Sequence, residues 1–254
     1  MKRPLVIIIL CLMLPSVLSA QLWKTRRYEA TASLGTTQFY GDIGGYTSGK
    51  NILGLKDISF HNTAANLTVN FRYRVLENVS ARLNFVTGFF HSSDVRGSNE
   101  TRGFNSTTSF FEPSLLGEFY FIKNRGENSF LFLKGDKSAF QSIISSLDMY
   151  FYTGIGGITY KVSPNNALAS RATNLSGFTT VLPVGVGVRM LYSANCCLGI
   201  ELGGRFAFVD NLEGYTSEYS KANDKYHFVN FTFTYRIKTG PKGGPMLKKD
   251  PQIF

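Results

Sequence analysis

The chain has 254 residues, enough for one or two domains, with a formal net charge of +10, 43% hydrophobic residues, 14% aromatics and 25 glycines. No stretch beyond the N-terminal segment has the ~20 consecutive apolar residues of a spanning helix, and two adjacent cysteines after that segment exclude a disulfide framework. Stability must come from a sheet rich in rings and glycines.

Residues 1–20 carry a positive start (Lys2, Arg3), an apolar core from Leu5 to Leu14 and small residues Ser19-Ala20, and read as a secretory signal peptide. Cys11 follows Leu10 rather than a small residue, which argues against lipidation. An exported chain rarely meets nucleic acid. Its positive balance therefore points to outer-membrane lipid and lipopolysaccharide, or to a solvated surface.

After a basic lead-in with Trp23, Tyr28–Tyr40 alternates apolar and polar residues as a strand does. A Gly-rich loop fills 41–61. The clearest hairpin follows. Leu67, Val69, Phe71 and Tyr73 alternate with Thr68, Asn70 and Arg72, and Val79, Ala81, Leu83 and Phe85 alternate with Ser80, Arg82 and Asn84, across a break at 74–78. A polar loop is expected over 92–109. The fourth strand, 110–122, contains Pro113, which predicts a bulge or irregular pairing there. Residues 123–148 are the least regular part: FLFLK could be a short strand and AFQSIISSL has helical spacing. Strands are expected at 149–160, 178–191, 197–209 and 226–237, separated by loops at 161–175 and 210–224 and a tight turn at 192–196. A basic tail, 238–254, ends the chain.

Eight amphipathic strands, an even number, with long and short connections alternating except at the long 123–148 connection on the periplasmic side, predict an all-β fold: an eight-stranded antiparallel transmembrane β-barrel over 21–237, both termini periplasmic. The alternative is a soluble lipocalin-like barrel. The polar faces decide between them. They carry Glu29, Arg72, Arg82, Glu112, Glu118, Glu201, Arg205 and Arg236, charges that are costly in a soluble core unless paired. Eight strands leave an interior just wide enough for side chains to fill. These residues are therefore expected to form an ion-pair network plugging the lumen, with the apolar faces toward lipid. Aromatics at strand ends suggest two girdles. Phe39, Tyr40, Phe89, Phe90, Phe110, Phe111, Phe178 and Tyr226 would form the outer one, and Tyr28, Tyr73, Tyr120, Phe121, Tyr192 and Tyr235 the periplasmic one.

Signals for chemistry are sparse. His61, His91 and His227 have no metal-ligand spacing, and no cofactor fingerprint occurs. His91-Ser92-Ser93, with His91 and Ser93 expected to face lipid, resembles the pattern of lipid A deacylases, in which Ser is nucleophile and His base; a third, orienting acid is needed and Glu112 faces the lumen. The bland reading is a strand giving way to a loop.

YEATASLGTTQFYGDIGG (28–45), VLPVGVGVRMLYSANCCLGIELGGRFAFVDNLEG (181–214) and YHFVNFTFTYRIK (226–238) resemble the outer-membrane barrels of Bacteroidetes typified by PorG, a component of the type IX secretion system. That resemblance implies a non-catalytic role, tying a periplasmic ring made by a lipoprotein and its partner to the outer membrane. The docking elements it implies are the 123–148 connection and the tail with Lys238, Lys242, Lys248 and Lys249; the bland reading of the tail is a disordered end. A general small barrel serving envelope integrity, adhesion or hydrophobic-molecule passage is the rival reading.

Overall fold

Alternation of the kind seen at Leu67–Tyr73 leaves every strand with one polar and one apolar face, and a sheet of such strands closes with one face inward. The computed structural model describes residues 22–44, 62–95, 99–133, 138–172, 174–217 and 223–246; the N-terminal twenty-one residues and the last eight lie outside it. Its strands are β1 (Tyr28–Tyr40), β2 (Thr63–Arg74), β3 (Val79–Ser93), β4 (Asn105–Ile122), β5 (Leu147–Pro164), β6 (Ser176–Leu191), β7 (Cys196–Ala207) and β8 (Lys225–Ile237). Each pairs antiparallel with the next, and β8 closes on β1 with Tyr28 opposite Ile237. Closure leaves no strand edge unpaired.

The greasy face points out. Leu34, Phe71, Leu115, Ile155, Ile200 and Phe231 are exposed around the wall, while Glu29, Arg72, Arg82, Glu118 and Glu201 are buried inside. A continuous exposed apolar belt of this kind is an interface, since water would not tolerate it. Close packing within explains the glycines of β6: the rings of Tyr150 and Tyr152 lie against Gly187 and Gly185, where a methyl group would overlap them.

Four expectations change. First, residues 92–109 are not simply a loop, because β3 runs to Ser93 and β4 starts at Asn105. Ser106 and Thr108 face inward and Thr107 and Ser109 outward, so this upper wall is polar on both sides and lacks the apolar signal. β4 and β5, at 18 residues each, reach roughly 60 Å along the strand, beyond what a bilayer core requires. Second, Pro113 brings the expected irregular pairing but no bulge or register shift. Pairing between β4 and β5 drops out after Phe111↔Thr159 and resumes at Ser114↔Gly156 in the same register, while the shift falls between Tyr120 and Ile122. The missing N–H of Pro113 costs local ladder bonds only. Third, FLFLK is not a strand: Phe130–Leu133 forms one helical turn, α1, followed by α2 (Ala139–Ser145), which Ser138 caps by accepting from the Gln141 N–H. A third helical turn, α3 (Asn166–Ala169), sits between β5 and β6.

Fourth, half of the expected outer girdle is a plug. Phe89, Phe111 and Phe178 face outward, but Phe39, Phe90, Phe110 and Tyr226 are buried inside. Adjacent residues on a strand point to opposite faces, so a doublet such as Phe89-Phe90 supplies one ring to each side. Phe90 stacks on Phe110 at 4.3 Å and Phe110 on Phe228 at 5.8 Å, filling the barrel's upper interior. Tyr120, expected in the lower girdle, is likewise inside.

Candidate functional site

The interior is densely charged and built in tiers. Register sets the lowest. Glu29 on β1 lies opposite Arg72 on β2 and Arg236 on β8. Its carboxylate meets Arg72 Nη1 at 2.9 Å, Arg74 Nη2 at 3.1 Å, Arg189 Nη1 at 2.5 Å and Arg236 Nε at 3.8 Å. Asp148 accepts from Arg189 Nε at 3.1 Å and Lys123 Nζ at 3.0 Å. Glu127, from the β4–β5 connection, closes the mouth on Arg74 (3.2 Å) and Arg236 (2.7 Å). Burial pushes the Lys123 ammonium down to about 8 despite the pull of Asp148.

In the middle tier Arg72 grips Glu118 with two bonds, Nε to Oε2 at 2.6 Å and Nη2 to Oε1 at 2.9 Å. Arg82 Nη1 reaches Glu118 at 3.2 Å and Glu201 at 2.6 Å. Tyr120 donates to Glu118 at 2.9 Å and Tyr150 to Glu201 at 2.5 Å. Above them Arg205 Nε meets Glu112 at 3.1 Å, Tyr226 donates to the other Glu112 oxygen at 2.7 Å, and the Arg205 guanidinium lies 4.6 Å over the Phe228 ring. The aromatic plug begins there.

The structure thus brings Glu29, Arg72, Arg82, Glu112, Glu118, Glu201, Arg205 and Arg236 into one interior, and adds Arg74, Glu127, Asp148, Arg189, Lys123 and the tyrosines. A cavity of about 10 Å³ lies at the lower mouth among Arg74, Lys123, Glu127, Asp148, Arg189, Cys197 and Arg236, about the room one water needs. Cys197 is buried there and Cys196 half-buried, with no disulfide between them.

The opposite end is capped by loops. Glu213 Oε1, in the β7–β8 loop, accepts the N–H groups of Asp42 (2.5 Å) and Ile43 (2.9 Å) in the β1–β2 loop. Asp94 accepts from Gly44 N–H at 2.9 Å, Phe104 N–H at 3.1 Å and Arg102 Nε at 2.8 Å. Arg102 also donates to the Asp42 carbonyl at 2.9 Å. Leu168 of α3 packs beneath with Ile43 and Phe104. The Gly41-Asp42 step and the Val209–Gly214 stretch, which carry much of the family resemblance, meet in this cap.

Glu213 is fully buried and its Oε2 has no hydrogen-bond partner among the described residues. Burial first, then the nearby Asp224 and Asp42 carboxyls, hold its carboxyl well above the usual range. A carboxyl raised in the fold keeps a proton that the unfolded chain has lost. The stability it contributes is complete below the unfolded value of about 4.3 and is lost as pH rises through the raised value. Thermal stability followed from about pH 4 to about pH 8 should fall more steeply in the wild type than in Glu213→Gln.

The hydrolase pattern does not assemble as the spacing suggests. Ser93 is buried rather than lipid-facing, and its Oγ accepts the Val95 N–H at 3.4 Å. His91 Nδ1 lies 3.2 Å from Thr107 Oγ1, and Glu112 is engaged by Arg205 and Tyr226. His227 packs edge-on against Tyr40 at 5.0 Å; His61 lies outside the described residues. In the tail, Lys238 and Lys242 are exposed on a segment folded back beside β1: Thr239 N–H donates to Thr25 O at 2.7 Å, Met246 N–H to Lys238 O at 2.8 Å, and Tyr28 OH to Gly243 O at 3.0 Å. Lys248 and Lys249 lie outside the described residues.

The model of a domain of unknown function, DUF6089, matches residues 2–242. No curated protein matches the chain. Among solved structures it is similar to the N-terminal β-barrel domain of OprF from Pseudomonas aeruginosa (12% identity, 83% of this chain and 98% of that one, TM-score 0.41). It is also similar to OprG of the same organism (9%, 84% and 94%, 0.41) and to Neisserial surface protein A (9%, 82% and 96%, 0.42). The barrel itself stands on its strand pairing, not on these scores.

Proposed function

We propose that this chain, which belongs to the DUF6089 family, is a sealed, non-catalytic barrel of the outer membrane that anchors a partner rather than conducting a solute. The observation that carries this reading is the interior: charges paired across the lumen below, an aromatic plug above them and a loop cap above that. The exposed apolar belt supports a bilayer as the surroundings. The start of β1, the end of β8 and the β4–β5 connection share one end of the barrel, which suits that end to docking. With the termini in the periplasm, the role is that of a PorG-like component of the type IX secretion system, holding a periplasmic ring lipoprotein and its partner to the membrane.

Deleting the gene should abolish secretion of a reporter cargo. Normal secretion by the deletion strain would favour instead a general small barrel serving envelope integrity or adhesion. Truncation after Thr239 separates the tail from the rest: loss of ring co-purification would place docking on Lys242, Lys248 and Lys249, and its retention would remove them. In planar bilayers the purified barrel should give no steady ion conductance.

A further inference from the structure

We propose that the β4–β5 connection is a membrane foot: α1 and α2 lay their apolar side chains into the lipid leaflet at the termini end of the barrel. This rests on the reading that the barrel sits in a bilayer. Phe132 is 75% exposed and Phe140 71%, and Ile144 is exposed beside them. On the other side of the helices Leu133 and Ser142 are buried against the protein. The helical segment is thus greasy outside and small or polar inside in α2, the same inversion as the barrel wall.

Two observations select lipid over a protein partner. The first is continuity with the belt. Ile122 at the lower end of β4 and Tyr192 just past the end of β6 are exposed and lead onto α1. Phe130 stacks on Tyr192 at 6.1 Å, and the Leu131 N–H donates to the Tyr192 carbonyl at 3.1 Å. Behind α2, the Leu191 N–H donates to the Ser146 carbonyl at 3.0 Å, so both helices are held at the edge of the wall. The second is charge. Asn128–Leu133 and Ser138–Leu147 contain no charged residue, the charges Lys134, Asp136 and Lys137 falling in the short link between them, and at the rim the exposed Arg125 pairs with Glu77 at 3.6 Å. Uncharged apolar helices bordered by charged residues match the acyl boundary beneath the headgroups.

Tryptophan placement tests this. In full-length mature protein folded into phosphatidylcholine–phosphatidylglycerol vesicles with brominated chains, Trp23→Phe removes the single tryptophan. Phe140→Trp or Phe231→Trp then reports one site. Both should show blue-shifted, strongly quenched emission, with Phe231→Trp quenched best by bromines deep in the chain and Phe140→Trp by bromines near the headgroup. If Phe231→Trp is quenched while Phe140→Trp emits as in water, the foot is wrong and the face is open to a protein. If the barrel folds and neither is quenched, the membrane reading fails and the foot with it.

Discussion

Replacing Glu29 with Gln should destabilise the folded barrel by about 3–5 kcal/mol, the cost of breaking a buried ion network at one member. Glu29 is buried and its carboxylate is approached by Arg72, Arg74, Arg189 and Arg236. Gln keeps the shape and removes the charge, so these guanidiniums would face one another in a buried interior with little solvent to screen them. Removing a cation as well should restore part of the loss. In Glu29→Gln with Arg189→Met, the double-mutant coupling is expected at about 0.5–3 kcal/mol. Denaturant unfolding in vesicles, followed by the gel mobility of folded and unfolded forms, measures both. An unchanged midpoint for Glu29→Gln would mean that the lumen is wet and the pairs carry little.

Phe231→Arg has the second largest expected effect, and its size depends on what surrounds the barrel. Phe231 lies mid-strand on β8, 66% exposed, between Leu34 on β1 and Ile200 on β7. In a bilayer an arginine there should cost about 2–4 kcal/mol, and the same change at Tyr235, near the lower end, about 0–1 kcal/mol. In water an exposed substitution of this kind stays within about 0.5 kcal/mol. Unfolding of the two variants from vesicles should therefore show a gradient with depth. Equal, small effects would argue that no lipid lies against β8.

The strand alternation that predicts this barrel also carries its inside-out character, because period 2 sorts every residue of a strand to one of two faces. It works where both faces are distinct, as at Leu67–Tyr73, and fails where the wall leaves the apolar belt. Ser106–Ser109 is strand with polar residues on both sides, so no periodic signal marks it. The same rule misleads with aromatic doublets. Phe89-Phe90 and Phe110-Phe111 look like girdle residues as pairs, yet parity sends one ring of each inward, and the plug they build becomes visible only when β3, β4 and β8 face one another.

Network membership is legible by face but not by partner. Arg189 sits on the polar face of β6, but its partners are Glu29, 160 positions away, and Asp148 on β5. Glu127 belongs to the irregular connection, where no alternation exists to assign it. The Gly41-Asp42 and Val209–Gly214 stretches stand out in the sequence without a stated role. Only closure of the barrel brings the Glu213 carboxyl to the N–H groups of Asp42 and Ile43.

The central claim is that the face carrying Leu67, Val69 and Phe71 meets lipid while Asn70 and Arg72 face a closed interior. A nitroxide at Phe71→Cys, with Cys196 and Cys197 replaced by serine, tests it in vesicles through collision with oxygen and with a water-soluble nickel chelate. Oxygen should relax the label strongly and the chelate hardly at all. A label relaxed chiefly by the chelate would put Phe71 in water and contradict the account.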